Sequence, residues 1–384
     1  MLDRSWRTVV LFACLLASAF SASLGQSAKP ETSSSSFSSQ FKVGSTFRTF
    51  TPADKSYNWR GAKTHALRAT VWYPAAPAAV EHPADIPGLS QIFVLGSAAQ
   101  DASLAPAPAS TNAEFPMIVL SHGTGGSALT MAWLGEALAA QGYIAVAVNH
   151  PGNNGAEAYT ALGFSTWWER ARDLGVVIDS MLADAMFGGH IDSTRIGAAG
   201  FSLGGYTMME IAGGVNDPQA FLDFCASPHA DGICKSPPEF PALIEDFQRL
   251  SKSDPEFQAA LRHAGDSYRD PRVRAVFAMA PALGPAFRPA SLAKIAIPVM
   301  IVAGQSDANV PIASSAKYFA ANIPGAKLTI FPSNVAHYVF LDACTEAGRK
   351  AQPLLCTDGE GVDRDAVHAK TAALAVEFFR ATLK

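Results

Sequence analysis

The chain has few charges for its length and no apolar run long enough to span a bilayer. Only 16% of its 384 residues are charged, the formal net charge is -4, and the charges are dispersed without basic runs. A nucleic-acid-binding surface needs a basic footprint, so that class of partner is excluded. The most apolar stretch, Val9 to Phe20, falls short of the ~20 residues a helix needs to cross the hydrocarbon core, so stable membrane insertion is not expected. Cysteine is scarce as well, with five in all and no C-x-x-C pair, and no metal site is expected. No internal repeat is present.

The first 25 residues read as a signal peptide. Arg4 and Arg7 precede the apolar run, and the small residues Ser21, Ala22, Ser23 and Gly25 follow it, which is the pattern of a cleaved leader. The expected location is secreted or periplasmic. Cys14 raises a lipoprotein reading, but it stands inside the apolar run behind Phe12. Removal of the leader leaves Cys225, Cys234, Cys344 and Cys356, an even number in an oxidising compartment, and two disulfides are expected. Pairing of neighbours would close two short loops; all three connectivities stay open. Residues 26–40, with Ser33-Ser34-Ser35-Ser36 at their centre, bury too little to fold and read as a flexible linker.

The remainder, 41–384, reads as one domain. Arg68 to Tyr73 and Gln91 to Leu95 look like early strands, and Ala99 to Ala113 like loop. From Pro116 onward, short continuous apolar runs alternate with longer amphipathic ones. Met117 to Leu120, Tyr143 to Val148, Arg195 to Ala199, Val273 to Met279, Ile297 to Ala303 and Lys327 to Phe331 are the expected strands. Helices are expected around Thr130 to Ala140, Trp167 to Leu182, Leu203 to Ala212, Ser314 to Ala321 and Ala366 to Leu383. This alternation indicates an α/β fold, a mostly parallel central sheet with helices on both faces. Residues 214–271 break the rhythm: they are rich in Pro, Asp and Ser, hold two cysteines, and carry helical stretches near Ala242 to Leu250 and Phe257 to His263. An inserted cap over the site is expected there, with a surface excursion as the alternative.

The chemistry concentrates at Gly200-Phe201-Ser202-Leu203-Gly204. A serine hydroxyl is a poor nucleophile until a base takes its proton, and a G-x-S-x-G turn between strand and helix presents that hydroxyl at the tip of a tight bend. The order Ser, acid, His then selects the partners. His337 follows the strand Lys327 to Phe331, whereas its rival His368 falls in the terminal helix. Asp307 follows the strand Ile297 to Ala303; Asp342 stands too close behind His337 to fit the order, and Asp192 suits a turn. An oxyanion needs donors, and the N–H of Leu203 with that of Thr124, in Ser121-His122-Gly123-Thr124-Gly125-Gly126, is the expected pair. His122, His150 and Tyr338 are candidates for contact with substrate, His122 with a loop-supporting role as the alternative and His150 with a solvent-exposed one. Trp167 and Trp168 are either pocket or core.

Together these parts resemble the serine-nucleophile branch of the dienelactone hydrolase-like α/β-hydrolases, which includes the platelet-activating-factor acetylhydrolases. The resemblance runs from Trp72-Tyr73-Pro74 through Ser121-His122-Gly123 and Asn149-His150-Pro151-Gly152 to the His337 loop, and it includes Arg170 and Asp173 as structural features. It implies hydrolysis of carboxylic esters, small-molecule or lipid-like, without metal or organic cofactor. Two departures narrow it. Dienelactone hydrolases proper use cysteine where this chain has Ser202, and the animal acetylhydrolases take their acid from a loop that here reads Ala280-Pro281-Ala282-Leu283, without a carboxylate. A peptidase or amidase on the same scaffold, and a binding protein that kept the fold, stay open; the oligomeric state is not readable.

Overall fold

The structure is a computed structural model and describes residues 39–108 and 114–384. The expected leader, Cys14 and nearly all of the expected linker lie outside the described residues. Among the described residues ten strands form one sheet: β1 Lys42–Phe50, β2 Leu67–Ala75, β3 His82–Pro83, β4 Ser97–Gln100, β5 Phe115–Ser121, β6 Ile144–Val148, β7 Ile191–Phe201, β8 Val273–Met279, β9 Val299–Gly304 and β10 Lys327–Phe331. Their spatial order is β10-β9-β8-β7-β5-β6-β2-β1-β4-β3. From β6 to β10 every pairing is parallel, while β2 runs antiparallel to both β6 and β1.

Strand geometry sends alternate side chains to opposite faces. Met117, Val119, Val146 and Val148 therefore pack on one side, with the helices Arg170–Leu182 and Leu203–Ile211. Ile118, Leu120, Ala145 and Ala147 pack on the other, with Ala132–Ala139 and Arg364–Thr382. Both faces are covered, which is why β5 and β6 are buried along their whole length. The chain leaves β5 for β6 on one side and later returns to β7 on the other, so the loops after β5 and β7 open a crevice at their carboxyl ends. Open α/β sheets bind ligands at such a switch point.

Two expectations for the first hundred residues are corrected. Gln91 to Leu95 is not a strand: it makes a single bridge, Phe93 to Cys344, and is tied by Val94 N–H to Ala343 O and Thr345 N–H to Ile92 O. Its apolar side chains pack onto the 343–345 segment rather than into the sheet. Ser97–Gln100, in part read as loop, is instead a strand beside β1. The cysteines pair as neighbours, Cys225 with Cys234 and Cys344 with Cys356.

Candidate active site

Ser202 stands between β7 and the helix Leu203–Ile211, with φ 56° and ψ -115°. A non-glycine residue rarely adopts this left-handed backbone, at a cost of about 1–3 kcal/mol. The bend is over-determined by its neighbours: Ser202 N–H donates to Met279 O at 2.9 Å, and Ser202 O accepts from Ala282 N–H at 3.0 Å. The flanking glycines serve close approach. A Cβ at Gly200 would collide with the Gly204 backbone, and one at Gly204 with the carbonyl oxygens of Ser121 and His122. Only glycine lets the helix start press against the end of β5.

His337 opens a short helical turn beyond β10, and Asp307 lies in the loop beyond β9. His337 Nε2 is 2.9 Å from Ser202 Oγ, and His337 Nδ1 is 2.6 Å from Asp307 Oδ2. A carboxylate only accepts, so Nδ1 carries a proton, and in the neutral imidazole Nε2 is then the acceptor facing the serine hydroxyl. Asp307 is held in turn by Val310 N–H, which donates to Oδ1 at 2.7 Å. The Phe201 ring packs on the imidazole at 4.8 Å between centroids.

The loop after β5 lies against this line, where a Cβ on Gly123 would stand 3.3 Å from the Ser202 side chain. The N–H groups of Gly125, Gly126, Ser127 and Ala128 are used by Asn153 Oδ1, Gly123 O, Thr130 Oγ1 and Asn149 Oδ1. Those of Thr124 and Leu203 have no hydrogen-bond partner among the described residues, and both residues line the cavity that contains Ser202. This cavity measures about 1220 Å³ and is mostly apolar. Residues 214–271 supply one wall of it, including Leu222, Ile233, Ile244 and Phe247. Tyr338 lines it too and donates its hydroxyl to Glu239 at 2.8 Å.

Of the candidates for substrate contact, His150 is corrected and His122 takes its alternative, loop-supporting role. His150 does follow β6 on the expected side, but it is completely buried, with Nδ1 2.7 Å from Asp173 and Nε2 2.8 Å from Ser121 Oγ. His122 is also fully buried, donating from Nδ1 to Gly123 O while Nε2 accepts from His150 N–H. Neither reaches the cavity wall, and burial pushes both imidazoles toward the neutral form, His150 to about 3. Trp167 lines the cavity and Trp168 belongs to the core. His368 is buried, stacked on Trp133 and bonded to Val339 O. Sequence reading missed Tyr57 and Arg60, which both bond to Asp173; they lie in an irregular loop with no spacing rule to flag them.

The sequence pattern of the α/β hydrolase family matches residues 118–347. The chain belongs to the α/β hydrolase family. The pattern of platelet-activating factor acetylhydrolase, isoform II, matches this hydrolase over residues 39–164. Cutinase est1 and cutinase est2 of Thermobifida alba are each 31% identical to it over 103 residues, 26% of this chain and 31% of theirs. The match thus spans about a third of the length of these curated relatives. A solved ferulic acid esterase from Streptomyces cinnamoneus shares the fold with a TM-score of 0.59 at 21% identity, over 90% of this chain and 91% of that one. Among the described residues no helix is long and apolar enough to cross a membrane.

Proposed function

We propose that this α/β hydrolase is an exported carboxylester hydrolase acting through an acyl-enzyme on Ser202. The observation that carries the reading is the unbroken line from Ser202 Oγ through His337 to Asp307, with Ser202 and His337 lining a large, mostly apolar cavity. As Ser202 Oγ attacks the ester carbonyl, His337 Nε2 takes its proton, and Asp307 stabilises the imidazolium without being protonated. The tetrahedral oxyanion receives the N–H groups of Thr124 and Leu203, donors that are left unspent and belong to residues lining the same cavity as Ser202. His337 then hands the proton to the departing alkoxide and the alcohol leaves. Water, deprotonated by the same imidazole, attacks the acyl-enzyme and releases the acid. The printed names of the relatives, cutinase and ferulic acid esterase, support an ester as substrate.

The domain plan belongs to the same proposal: leader 1–25, linker 26–40, and a hydrolase domain whose insertion 214–271 acts as a cap. Its support is the cavity wall built from that insertion, and the two cysteine pairs support an oxidising destination. The test is hydrolysis of short p-nitrophenyl esters by wild type and by Ser202→Ala, with an organophosphonate probe as a second readout. Turnover and labelling by wild type alone are expected. Equal turnover by both proteins would overturn the assignment.

A further inference from the structure

The molecule contains a second Ser–His–Asp line, directly behind the loop that follows β5. Ser121 Oγ is 2.8 Å from His150 Nε2, and His150 Nδ1 is 2.7 Å from Asp173 Oδ2. These spacings match those of the Ser202 line, yet Ser121, His150 and Asp173 are wholly buried and none of them lines the cavity. Asp173 is anchored from its far side by Arg60 Nη2 at 2.7 and 2.8 Å and by the Tyr57 hydroxyl. Burial raises the Asp173 carboxyl, but Arg60 first, then His150 and Tyr57, outweigh it and hold it down at about 2. Asp173 is therefore a carboxylate that accepts from His150 Nδ1–H. Neutral His150 Nε2 has no proton to give, so the Ser121 hydroxyl donates to it.

The near end of this chain is the oxyanion loop. Ser121 is the last residue of β5, paired on one side with Gly200 and on the other with Val148. It stands three residues before Thr124, and its carbonyl is the surface against which Gly204 packs. The next residue is gripped twice more: Arg170 donates to His122 O, and His150 N–H donates to His122 Nε2. Beyond its strand pairing, Ser121 is held by the His150 imidazole, and His122 is held by Arg170 and by the His150 N–H; His150 is itself fixed by the Asp173 cluster.

We propose that Tyr57, Arg60, Asp173, His150 and Ser121 form a positioning relay that sets the Thr124 N–H at the distance the oxyanion requires. The relay touches no substrate; it acts through the loop. The inference rests on the reading of Thr124 as an oxyanion donor. Removal of a whole oxyanion donor slows turnover about 10²–10³-fold, and a donor displaced by a slackened loop should lose part of that, about tenfold to a hundredfold. The loss should fall on kcat, because the ground-state carbonyl makes little use of the donor.

The experiment cuts the relay where no buried charge is stranded. Ser121→Ala removes the hydroxyl. His150→Asn keeps a donor toward Asp173 at the Nδ1 position but leaves nothing to receive Ser121. Rates on a p-nitrophenyl ester are normalised to sites titrated with an organophosphonate, which removes any contribution from misfolded protein. The expected result is a tenfold or larger fall in kcat for each variant, KM within about twofold, and affinity for a trifluoromethyl ketone falling in step with kcat. The double variant should be no slower than the slower single one, since both cut one link. Unchanged kcat in Ser121→Ala, or losses that add in the double variant, would overturn the relay while the ester hydrolase reading stands. Absence of turnover and labelling in wild type would instead remove that reading, and the relay with it.

Discussion

Replacement of Asp307 by Asn tests the proposed triad most sharply, because the carboxylate is committed at both oxygens. Oδ2 faces His337 Nδ1 at 2.6 Å and Oδ1 accepts Val310 N–H at 2.7 Å. Asn offers one oxygen and one NH2 group for these two positions. With its oxygen toward Val310, the NH2 group meets Nδ1, which must then become the acceptor. The imidazole proton moves to Nε2, facing Ser202 Oγ, and no base is left. The opposite orientation sets NH2 against the buried Val310 N–H, and an unmade buried hydrogen bond costs about 1–3 kcal/mol. The first orientation is therefore favoured, and it is the inactive one. Loss of the correct tautomer is worth about 10⁴ in kcat in the serine protease triad; a fall of about 10³–10⁴ is expected here, or ~4–5.5 kcal/mol of transition-state stabilisation. The assay is kcat on p-nitrophenyl butyrate, with a melting curve to show that the fold survives. Asp342→Asn, five residues beyond His337 but hydrogen-bonded to Trp133 N–H, is the control and should turn over as wild type does. An Asp307→Asn enzyme that keeps more than about a tenth of wild-type kcat would refute this reasoning.

The same control reports on stability against pH. Burial pushes the Asp342 carboxyl up to about 8, and likewise that of Glu136. The folded state thus holds protons that the unfolded chain releases near pH 4, and stability is lost as pH rises from about 4 to about 8, on the order of a few kcal/mol; denaturant titrations at pH 5 and pH 8.5 should show this slope, and Asp342→Asn should flatten it. Opening the Cys225–Cys234 bridge by paired Cys→Ser changes releases a short loop, with sequence separation 9, and should cost about 2–3 kcal/mol by loop entropy. KM should rise more than kcat falls, because Gly232 and Ile233 belong to the cavity wall; a melting point equal to wild type would count against it. Leu222, Ile244 and Leu354 are about half exposed at 47%, 46% and 52% and all line the same cavity. Changing the three to Ser should lower kcat/KM for a long-chain ester about tenfold or more while sparing the acetate, given roughly 1 kcal/mol for each half-buried side chain; equal losses on both esters would show that this rim does not read the acyl chain.

The parallel half of the molecule was legible because each part announces itself locally. Val273–Met279 and Lys327–Phe331 are strands with the bounds their apolar runs suggest, and Asp307 and His337 stand where chain order and strand ends say an acid and a base should. Of the antiparallel side, β2 was legible as Arg68 to Tyr73, whereas β1 was hidden for a physical reason. In β1 the buried positions include Val43, Gly44, Thr46 and Phe50 while Phe47 is exposed, so no period of two survives in the sequence. Conversely, Ile92-Phe93-Val94 is apolar without being a strand, because its partner is the disulfide-closed 344–356 segment. Such long-range pairings leave no trace in spacing. The Arg60–Asp173 ion pair, between residues 113 apart, is of the same kind.

His150 shows what a sequence can and cannot assign. Its place after β6 puts it at the carboxyl ends of the parallel strands; its depth there follows from contacts with Asp173 and Ser121 that no pattern predicts. Depth is also what separates the two serines. Ser121 and Ser202 each face an imidazole that faces a carboxylate, at nearly equal distances. Ser121 is sealed, and its imidazole is held so far below the ordinary range that it is a poor base at neutral pH. Ser202 stands on a left-handed bend and lines the cavity, as do Thr124 and Leu203 with their unspent N–H donors. A hydrogen-bonded Ser–His–Asp line therefore does not by itself specify catalysis. Access and an oxyanion site make the difference, and the buried copy is placed to hold that site in shape.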